Sequence, residues 1–255
     1  MTEEHEKLAG QNQLISFLPD DIRSELLRRA VAVDLPAGEI LIKAGAKIEK
    51  VFFVCSGIAS VLVQSRSGKV TESGIVGREG YVPSGALVDA ETSFTQVIMQ
   101  VPGQAMVLEI TAFQALRNRH RILEQLLTCA SHALRTQIEC TLLSNTTQPV
   151  SQRLARWILV CHNRVDGNQL HLTHDFLSLM LAVRRPSVTD ALHFLEGRGF
   201  IRSERAKITI RNRDALEEYA GDIYGLSEEE HDRVFARFRA SALLRPATAD
   251  TRSAG

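Results

Sequence analysis

Residues 172–210 contain two short amphipathic segments separated by a turn. The apolar residues of each segment share one helical face: Phe176, Leu177, Met180 and Leu181 in the first, Val188, Leu192 and Leu195 in the second. Thr173 is a predicted N-cap for the first helix, and Pro186 suits the beginning of the second because its missing N–H would be unused there. Two helices around a tight turn predict a helix-turn-helix.

A basic hairpin is predicted directly after the second helix. Gly197 or Gly199 would end that helix, and residues 200–203 and 207–210 then flank a tip at Glu204-Arg205-Ala206. A hairpin in this position turns the helix-turn-helix into a winged one. Residues 172–210 as a whole therefore limit the possible folds of the chain more than any other segment.

The charge of this region points to nucleic acid. Residues 184–213 carry eight Lys or Arg against three Asp or Glu, whereas the whole chain has 30 of each sign. Phosphate contacts need such a locally basic surface, because affinity comes largely from counterion release. The candidate DNA-binding residues are Arg184, Arg185, Ser187, Thr189, Asp190, Arg202, Arg205 and Lys207. The alternatives are a solvated basic face or a winged helix that packs only against protein.

Residues 31–110 have the pattern of a small antiparallel β-structure. Short β-rich runs occur at residues 39–43, 51–55, 59–64, 97–101 and 105–110. Glycines mark the turns at positions 38, 45, 57, 68 and 103. This arrangement predicts a compact antiparallel barrel or double-sheet jelly roll.

A helical period follows from Thr111 to about Leu143. We expect one long helix from about Arg117 to Leu143 whose apolar stripe outlasts the barrel and pairs with its own copy in a homodimer. The stripe contains Leu123, Leu127, Ala130, Leu134 and Ile138. Packing entirely against the barrel is the alternative. The polar segment Asn145–Pro149 is a predicted hinge before the helix-turn-helix domain.

The rest of the chain places limits on its class. The polar, acidic N-terminus is not a signal peptide, and no segment is apolar enough for a membrane span, so we expect a cytoplasmic protein. The four cysteines form no metal-ligand spacing, and we expect no metal, cofactor or catalytic site. Ser227 begins a predicted capping box, and the residues beyond Pro246 are predicted to be disordered.

Barrel, long helix and winged helix-turn-helix together resemble the Crp/Fnr superfamily of bacterial transcription regulators. The resemblance covers about residues 14–219 and is most specific in GEILIKAG at 38–45, VFFVCSG at 51–57 and GRGFIR at 197–202. It implies an α+β fold with a cyclic-nucleotide-binding-like sensor barrel, a long dimerisation helix and a C-terminal winged helix-turn-helix. It also implies double-stranded DNA, a second copy, RNA polymerase and a small-molecule effector as partners.

On this basis we divide the chain into five parts: a lead-in helix (1–30), the sensor barrel (31–111), the dimerisation helix and hinge (112–146), the DNA-binding domain (147–225), and a C-terminal helix with a disordered tail (226–255). The resemblance aligns the first-turn arginine of the family's recognition helix with Arg185, which we expect to contact guanine. The family's next acidic position is Pro186 here and a later arginine position is Asp190, so the target sequence should differ from that of the best-known members.

The sensor site departs from the family pattern. Cyclic-nucleotide binders have a Gly-Glu pair followed by Arg-Ser or Arg-Thr; VGREG at 76–80 resembles the first half, but SFTQV at 93–97 has no arginine. A buried phosphate needs a cationic partner, so we expect the effector not to be cyclic AMP. The resemblance places the effector pocket at Gly77, Arg78, Glu79, Thr95 and Gln96.

Three alternatives stay open at this stage. A cyclic-nucleotide-responsive regulator would use Arg78 to hold the phosphate from another direction. An enzyme with a cupin-like barrel is disfavoured, because residues 31–110 contain no histidine to hold a metal. A protein-interaction scaffold would have a winged helix that binds no DNA.

Overall fold

The structure, a computed structural model, describes residues 3–243. The predicted disordered tail therefore lies outside the described residues. Three short helices begin the chain: α1 (Glu3–Ala9), α2 (Gln13–Ser16) and α3 (Asp20–Leu27). Asn12 caps α2 by accepting hydrogen bonds from the backbone of Leu14 and Ile15, and its amide also donates to the Val54 carbonyl at 2.7 Å. This buried side chain fixes the N-terminal helices to the barrel.

Two four-stranded antiparallel sheets form the predicted double-sheet jelly roll. The strands are β1 (Val31–Leu35), β2 (Ile40–Ile42), β3 (Lys50–Val54), β4 (Ile58–Gln64), β5 (Val70–Val76), β6 (Tyr81–Val82), β7 (Gln96–Val101) and β8 (Gly103–Glu109). The sheet orders are β1-β8-β3-β6 and β2-β7-β4-β5. A 3₁₀ turn, Ser84–Val88, follows β6. Strands β1, β5 and β6 were not among the predicted runs, because β5 is interrupted by polar residues and β6 has only two residues.

Gly103 lets two turns of the barrel touch. A Cβ at this position would lie 2.0 Å from the Ser56 carbonyl oxygen, which is far inside van der Waals contact. The Gln104 backbone N–H then donates to Ser56 Oγ at 3.0 Å. The turn between β3 and β4 is thereby held against the start of β8.

The long helical segment is not continuous, which corrects the sequence prediction. It consists of α4 (Ile110–Arg119) and α5 (Arg121–Thr147), separated by His120 in an extended conformation. His120 Nε2 lies 2.8 Å from the carboxylate of Glu25 on α3. This contact with a distant helix holds His120 at the break between the two helices.

Helix α5 lies along the open edge of strand β5. Gln137 accepts a hydrogen bond from the Ile75 N–H at 2.7 Å and donates one to the Ile75 carbonyl at 3.2 Å. Gly74 makes room for this approach, since a Cβ there would lie 3.1 Å from a methyl of Leu134. The side chain of Gln137 therefore pairs an edge strand that would otherwise expose its backbone groups.

The C-terminal helix α10 (Leu226–Leu243) packs against α5. The Phe235 and Phe17 ring centroids are 5.9 Å apart, and His132 Nε2 lies 2.6 Å from Glu230. The helix begins one residue before Ser227, whose hydroxyl donates to Glu228. The predicted capping box with Ser227 as N-cap is therefore wrong.

The C-terminal domain contains α6 (Val150–His162), β9 (Gln169–Leu170), α7 (His174–Leu181), α8 (Arg185–Gly197), β10 (Ile201–Glu204), β11 (Lys207–Ile210) and α9 (Arg213–Ala220). Its strands form a sheet in the order β10-β11-β9. Its hydrophobic core is shared with the barrel through Ile58, Leu62 and Ile75. The two domains are thus joined by apolar contact as well as by the chain.

Candidate nucleic-acid interface

Helices α7 and α8 form the predicted helix-turn-helix. Thr173 caps α7 by accepting a hydrogen bond from the Phe176 N–H at 3.2 Å. The turn is made possible by Ala182, which adopts a left-handed conformation (φ 50°). Helix α8 begins at Arg185, one residue before the expected Pro186, and has Pro186 in its first turn. Both helices therefore have the ends that their sequences predict.

The two faces of α8 are separated as expected. Val188, Leu192 and Leu195 are buried against the rest of the domain. Arg184, which precedes the helix, and Arg185, Asp190 and His193 are exposed, whereas Ser187 and Thr189 are partly buried. The helix therefore presents a polar face to solvent with two arginines at its N-terminal end, the part of a recognition helix that contacts base edges.

Arg185, at the N-terminal end of α8, forms only a weak ion pair. Arg185 Nη1 lies 3.1 Å from the Asp175 carboxylate, but the two side chains are 64% and 74% exposed. Ion pairs this exposed contribute about 0–1 kcal/mol. Arg185 is therefore free to exchange this partner for a base or a phosphate.

The hairpin after α8 is formed as predicted, by β10, a two-residue turn and β11. Ala206 in the turn has a left-handed conformation (φ 56°), and Arg205 beside it is exposed. Two wing cations share one acid: Arg202 lies 3.0 Å and Lys207 2.6 Å from Glu204. The hydrogen bond from Lys207 lowers the pKa of Glu204. The wing is thus less positive than a count of its basic residues indicates.

Glu196 connects the wing to the recognition helix. Its carboxylate accepts a hydrogen bond from the Ser203 N–H at 3.0 Å. Sequence reasoning counted Glu196 only as a negative charge. Glu196 lies on α8 and Ser203 on β10, so the contact depends on the turn between a helix and a strand, and no single repeat could have identified it.

The residues expected to form an effector pocket are not all brought together. Arg78 and Glu79 line a cavity of about 430 Å³ between the barrel, α5, the residues after α6, and α10. Gly77 contacts the edge of this site, since a Cβ there would meet the side chains of Arg164 and Glu79. Thr95 and Gln96 do not line the cavity; Gln96 pairs with Leu62 inside a sheet. The structure therefore brings Arg78 and Glu79 together at this cavity, and Thr95 and Gln96 lie outside it.

Most of the apolar stripe of α5 is buried by contacts within a single chain. Leu123 and Leu127 are 0% exposed and Ala130 is buried, in the same core as Phe53 and Phe113 of the barrel side. The other two residues of the stripe, Leu134 and Ile138, approach Gly74 of β5. The exposed leucines of this helix lie at its C-terminal end: Leu142 is 65% and Leu143 45% exposed.

The described residues contain neither a metal-ligand cluster nor a membrane-spanning helix. Residues 3–243 contain no group of three His, Cys, Asp or Glu side chains that could hold a metal ion. Their helices are also too short or too polar to cross a membrane. Burial raises the pKa of the thiols of Cys55, Cys140 and Cys161.

Solved structures of similar fold are transcription regulators. FixK2 from Bradyrhizobium japonicum aligns with a TM-score of 0.64 at 14% identity, covering 76% of this chain and 98% of its own. TTHB099, a CRP-family transcriptional regulator from Thermus thermophilus, aligns with a TM-score of 0.64 at 17% identity, covering 76% and 99%. CLP from Xanthomonas campestris, a global regulator described as responsive to c-di-GMP, aligns with a TM-score of 0.59 at 13% identity, covering 75% and 99%. No curated protein sequence matches significantly.

Family models match both domains. Residues 32–120 match the cyclic nucleotide-binding domain, and residues 152–219 match the Crp-like helix-turn-helix domain. Together the two models cover more than half of the 255 residues, and the nucleotide-binding match precedes the helix-turn-helix match in the chain. With a jelly roll, a long helix and an exposed recognition helix in this order, the chain belongs to the Crp/Fnr superfamily of DNA-binding transcription regulators.

Proposed function

We propose that this protein is a homodimeric regulator that binds a specific inverted-repeat DNA site through α8. The observation that carries this proposal is the exposed N-terminal end of α8, where Arg184 and Arg185 have no strong partner among the described residues. The guanidinium fork of arginine matches O6 and N7 of guanine. Arg185 would contact a base, with Ser187 and Thr189 nearby and Asp190 accepting from a cytosine amine.

The wing supports the same proposal with a different role. Arg202, Arg205 and Lys207 lie on a hairpin that Glu196 holds against α8. Charged side chains on a hairpin suit the phosphate backbone, which positions a protein without specifying sequence. The wing cations would thus provide affinity and Arg185 specificity.

Dimerisation is proposed along α5, beginning at the exposed Leu142 and Leu143. Contacts through Leu123, Leu127 and Ala130 would require α10 and the barrel to move, because these side chains are buried in a single chain. Two copies related by a two-fold axis would place their recognition helices on half-sites about one turn of DNA apart. We also propose that the protein contacts RNA polymerase and acts in the cytoplasm.

The decisive experiment is an unbiased selection of bound fragments from a genomic library, followed by affinity measurements at several salt concentrations. We expect enrichment of one inverted repeat, and affinity that falls with salt as phosphate contacts require. A protein-interaction scaffold would enrich no sequence and would not be retained on DNA at low salt. That outcome would remove the proposal.

A further inference from the structure

The cavity beside Arg78 is formed by four parts of the molecule. The barrel contributes Arg78 and Glu79, α5 contributes Leu134, the segment after α6 contributes Arg164, and α10 contributes His231. Helix α10 lies outside both matched family ranges, which end at residues 120 and 219. This wall is therefore not part of either matched domain. A volume of about 430 Å³ is typical of small-molecule sites.

The acidic side chains of the cavity already have hydrogen-bond or ion-pair partners. Glu79 accepts hydrogen bonds from Arg164 Nε at 2.7 Å and from the Gly77 N–H at 3.1 Å. Burial raises the pKa of Glu79, but the charge of Arg164 and the hydrogen bonds more than offset this, so its pKa is below the ordinary value. Asp232 is paired with Arg239, and Glu228 accepts a hydrogen bond from Ser227. A ligand need not supply a cation here.

One buried donor is not satisfied. Arg78 Nε has no hydrogen-bond partner among the described residues, and neither has His231 Nε2, whose role as donor or acceptor depends on the tautomer of the ring. Arg78 forms an ion pair at 2.9 Å with Asp166, whose side chain is 91% exposed, so this pair is weak. Burial lowers the pKa of His231. Because buried polar groups are normally paired, the missing partner of Arg78 is a hydrogen-bond acceptor.

Part of the cavity wall is apolar. It is formed by Ile75, Val76, Ala130, Ala133 and Leu134. The nearby Tyr81 hydroxyl is already engaged with Ser131 at 2.8 Å. A ligand that fills the site must therefore combine an apolar body with one acceptor group.

We propose that this cavity binds a small monocarboxylate with an apolar tail or ring, whose carboxylate is held by Arg78 and whose body lies against Leu134. A carboxylate matches the guanidinium of Arg78, whose buried Nε–H is unpaired among the described residues. A dianionic phosphate would need more donors and would be repelled by the three acidic side chains in the wall.

Binding at this site would also act on the DNA-binding domain. Arg78 donates to the Arg164 carbonyl at 3.4 Å and to Asp166, both beyond α6. A ligand carboxylate would compete for the same guanidinium and change this link between barrel and DNA-binding domain. This consequence, unlike the binding itself, rests on the proposed function.

The test uses three molecules with the same body: 3-phenylpropionate, 3-phenylpropanamide and 3-phenylpropylamine. Thermal unfolding and isothermal titration of the full chain should show binding of the carboxylate, at least tenfold stronger than that of the amide and the amine. A ligand that binds only the folded state must raise the melting temperature. Equal binding of all three, or none by the carboxylate, would overturn the proposal.

Variants locate the site. Arg78→Gln and Ala133→Phe, which fills the cavity, should each weaken carboxylate binding at least tenfold, whereas Arg66→Gln on an exposed turn should leave it unchanged. Wild-type binding by both folded cavity variants would refute the proposal. DNA affinity is then measured with and without 3-phenylpropionate. A changed affinity supports the coupling, and an unchanged affinity with intact ligand binding would refute only the coupling. A protein that binds no DNA in either condition would instead count against the proposed function.

Discussion

Trp157 donates its indole N–H to the Glu72 carboxylate at 2.8 Å, across the contact between the DNA-binding domain and the barrel. Ser60 also donates to this carboxylate, and the Ser60 hydroxyl lies 3.7 Å from Met180 Sδ on α7. Glu72 is buried, and this burial raises the pKa of its carboxyl to about 7 in spite of the two hydrogen bonds and the charge of Arg164. An acid that titrates near neutrality thus sits where the two domains meet.

Stability should fall as Glu72 ionises. An acid whose folded-state pKa exceeds its unfolded value favours the folded state while it is protonated. The contribution is therefore complete below about pH 4.5 and is lost as the pH rises through about 7. A shift of this size corresponds to on the order of 3 kcal/mol.

Urea unfolding followed by the fluorescence of Trp157, the only tryptophan, measures this loss directly. Glu72→Gln should remove the pH-dependent part, whereas Glu49→Gln on the exposed surface should retain it. If wild type and Glu72→Gln showed the same dependence between pH 5 and pH 8, Glu72 would not be the group responsible.

Arg185→Ala should cost about 1–3 kcal/mol of specific DNA binding and relax the preference at one base pair in each half-site. The reason is its position at the N-terminal end of α8 with an ion pair too exposed to hold it. Binding to a set of single-base variants of the selected site measures the effect. If Arg185→Ala weakened all sequences equally while a change at Arg205 altered the preferred base, the two roles would be reversed.

Glu204→Gln should strengthen non-specific DNA binding. Removal of this acid frees Arg202 and Lys207 for phosphates. The slope of log affinity against log salt should become steeper by about one, measured by fluorescence anisotropy with a random duplex. Glu49→Gln changes the net charge equally but lies on the barrel, so a similar effect there would show that overall charge, not the wing, is responsible.

Leu142→Arg combined with Leu143→Arg should give monomers of 28.3 kDa that lose specific DNA binding. Sedimentation equilibrium measures the mass, and wild type should be twice as heavy. Ile40→Arg, at another exposed apolar residue, serves as the control. A wild-type monomer at micromolar concentration would contradict the proposed dimer. Charged residues at Leu127 would be a poor test, because this side chain is fully buried and its replacement would disrupt the fold.

Cyclic AMP should not stabilise the protein. No arginine lies in residues 93–97, and Thr95 and Gln96 are away from the cavity that Arg78 lines. Thermal unfolding with millimolar cyclic AMP should therefore match unfolding without it. A clear increase in melting temperature that disappears in Arg78→Gln would instead show that Arg78 holds the phosphate.

Local elements of this fold were predictable because each depends on neighbours in sequence. The spacing of Val188, Leu192 and Leu195 set the buried face of α8, and Gly199 allowed the chain to leave the helix (φ 75°). The β-rich runs and their glycine turns likewise predicted the jelly roll. The polar residues of β5 concealed a strand, although its partner β4 directly precedes it in the chain.

Contacts between distant segments could not be predicted. The apolar stripe of α5, which includes Leu127, indicated that it packs against another surface. The pattern did not show whether this surface belongs to a second copy or to the same chain. In the structure the barrel side and α10 cover the stripe, with Phe235 meeting Phe17 from the other end of the chain. For the same reason, the sequence could not show that Arg78 shares a cavity with residues of α5 and α10.

The amino-acid sequence by itself thus determined the winged helix-turn-helix, its basic character and the β-rich barrel, because periodicity, capping and turn chemistry act over a few residues. Only the tertiary structure decided that Gln137 closes the edge of β5, that Glu196 holds the wing, and that Glu72 meets Trp157. Each of these hydrogen bonds joins residues on different secondary-structure elements, and each depends on how those elements pack.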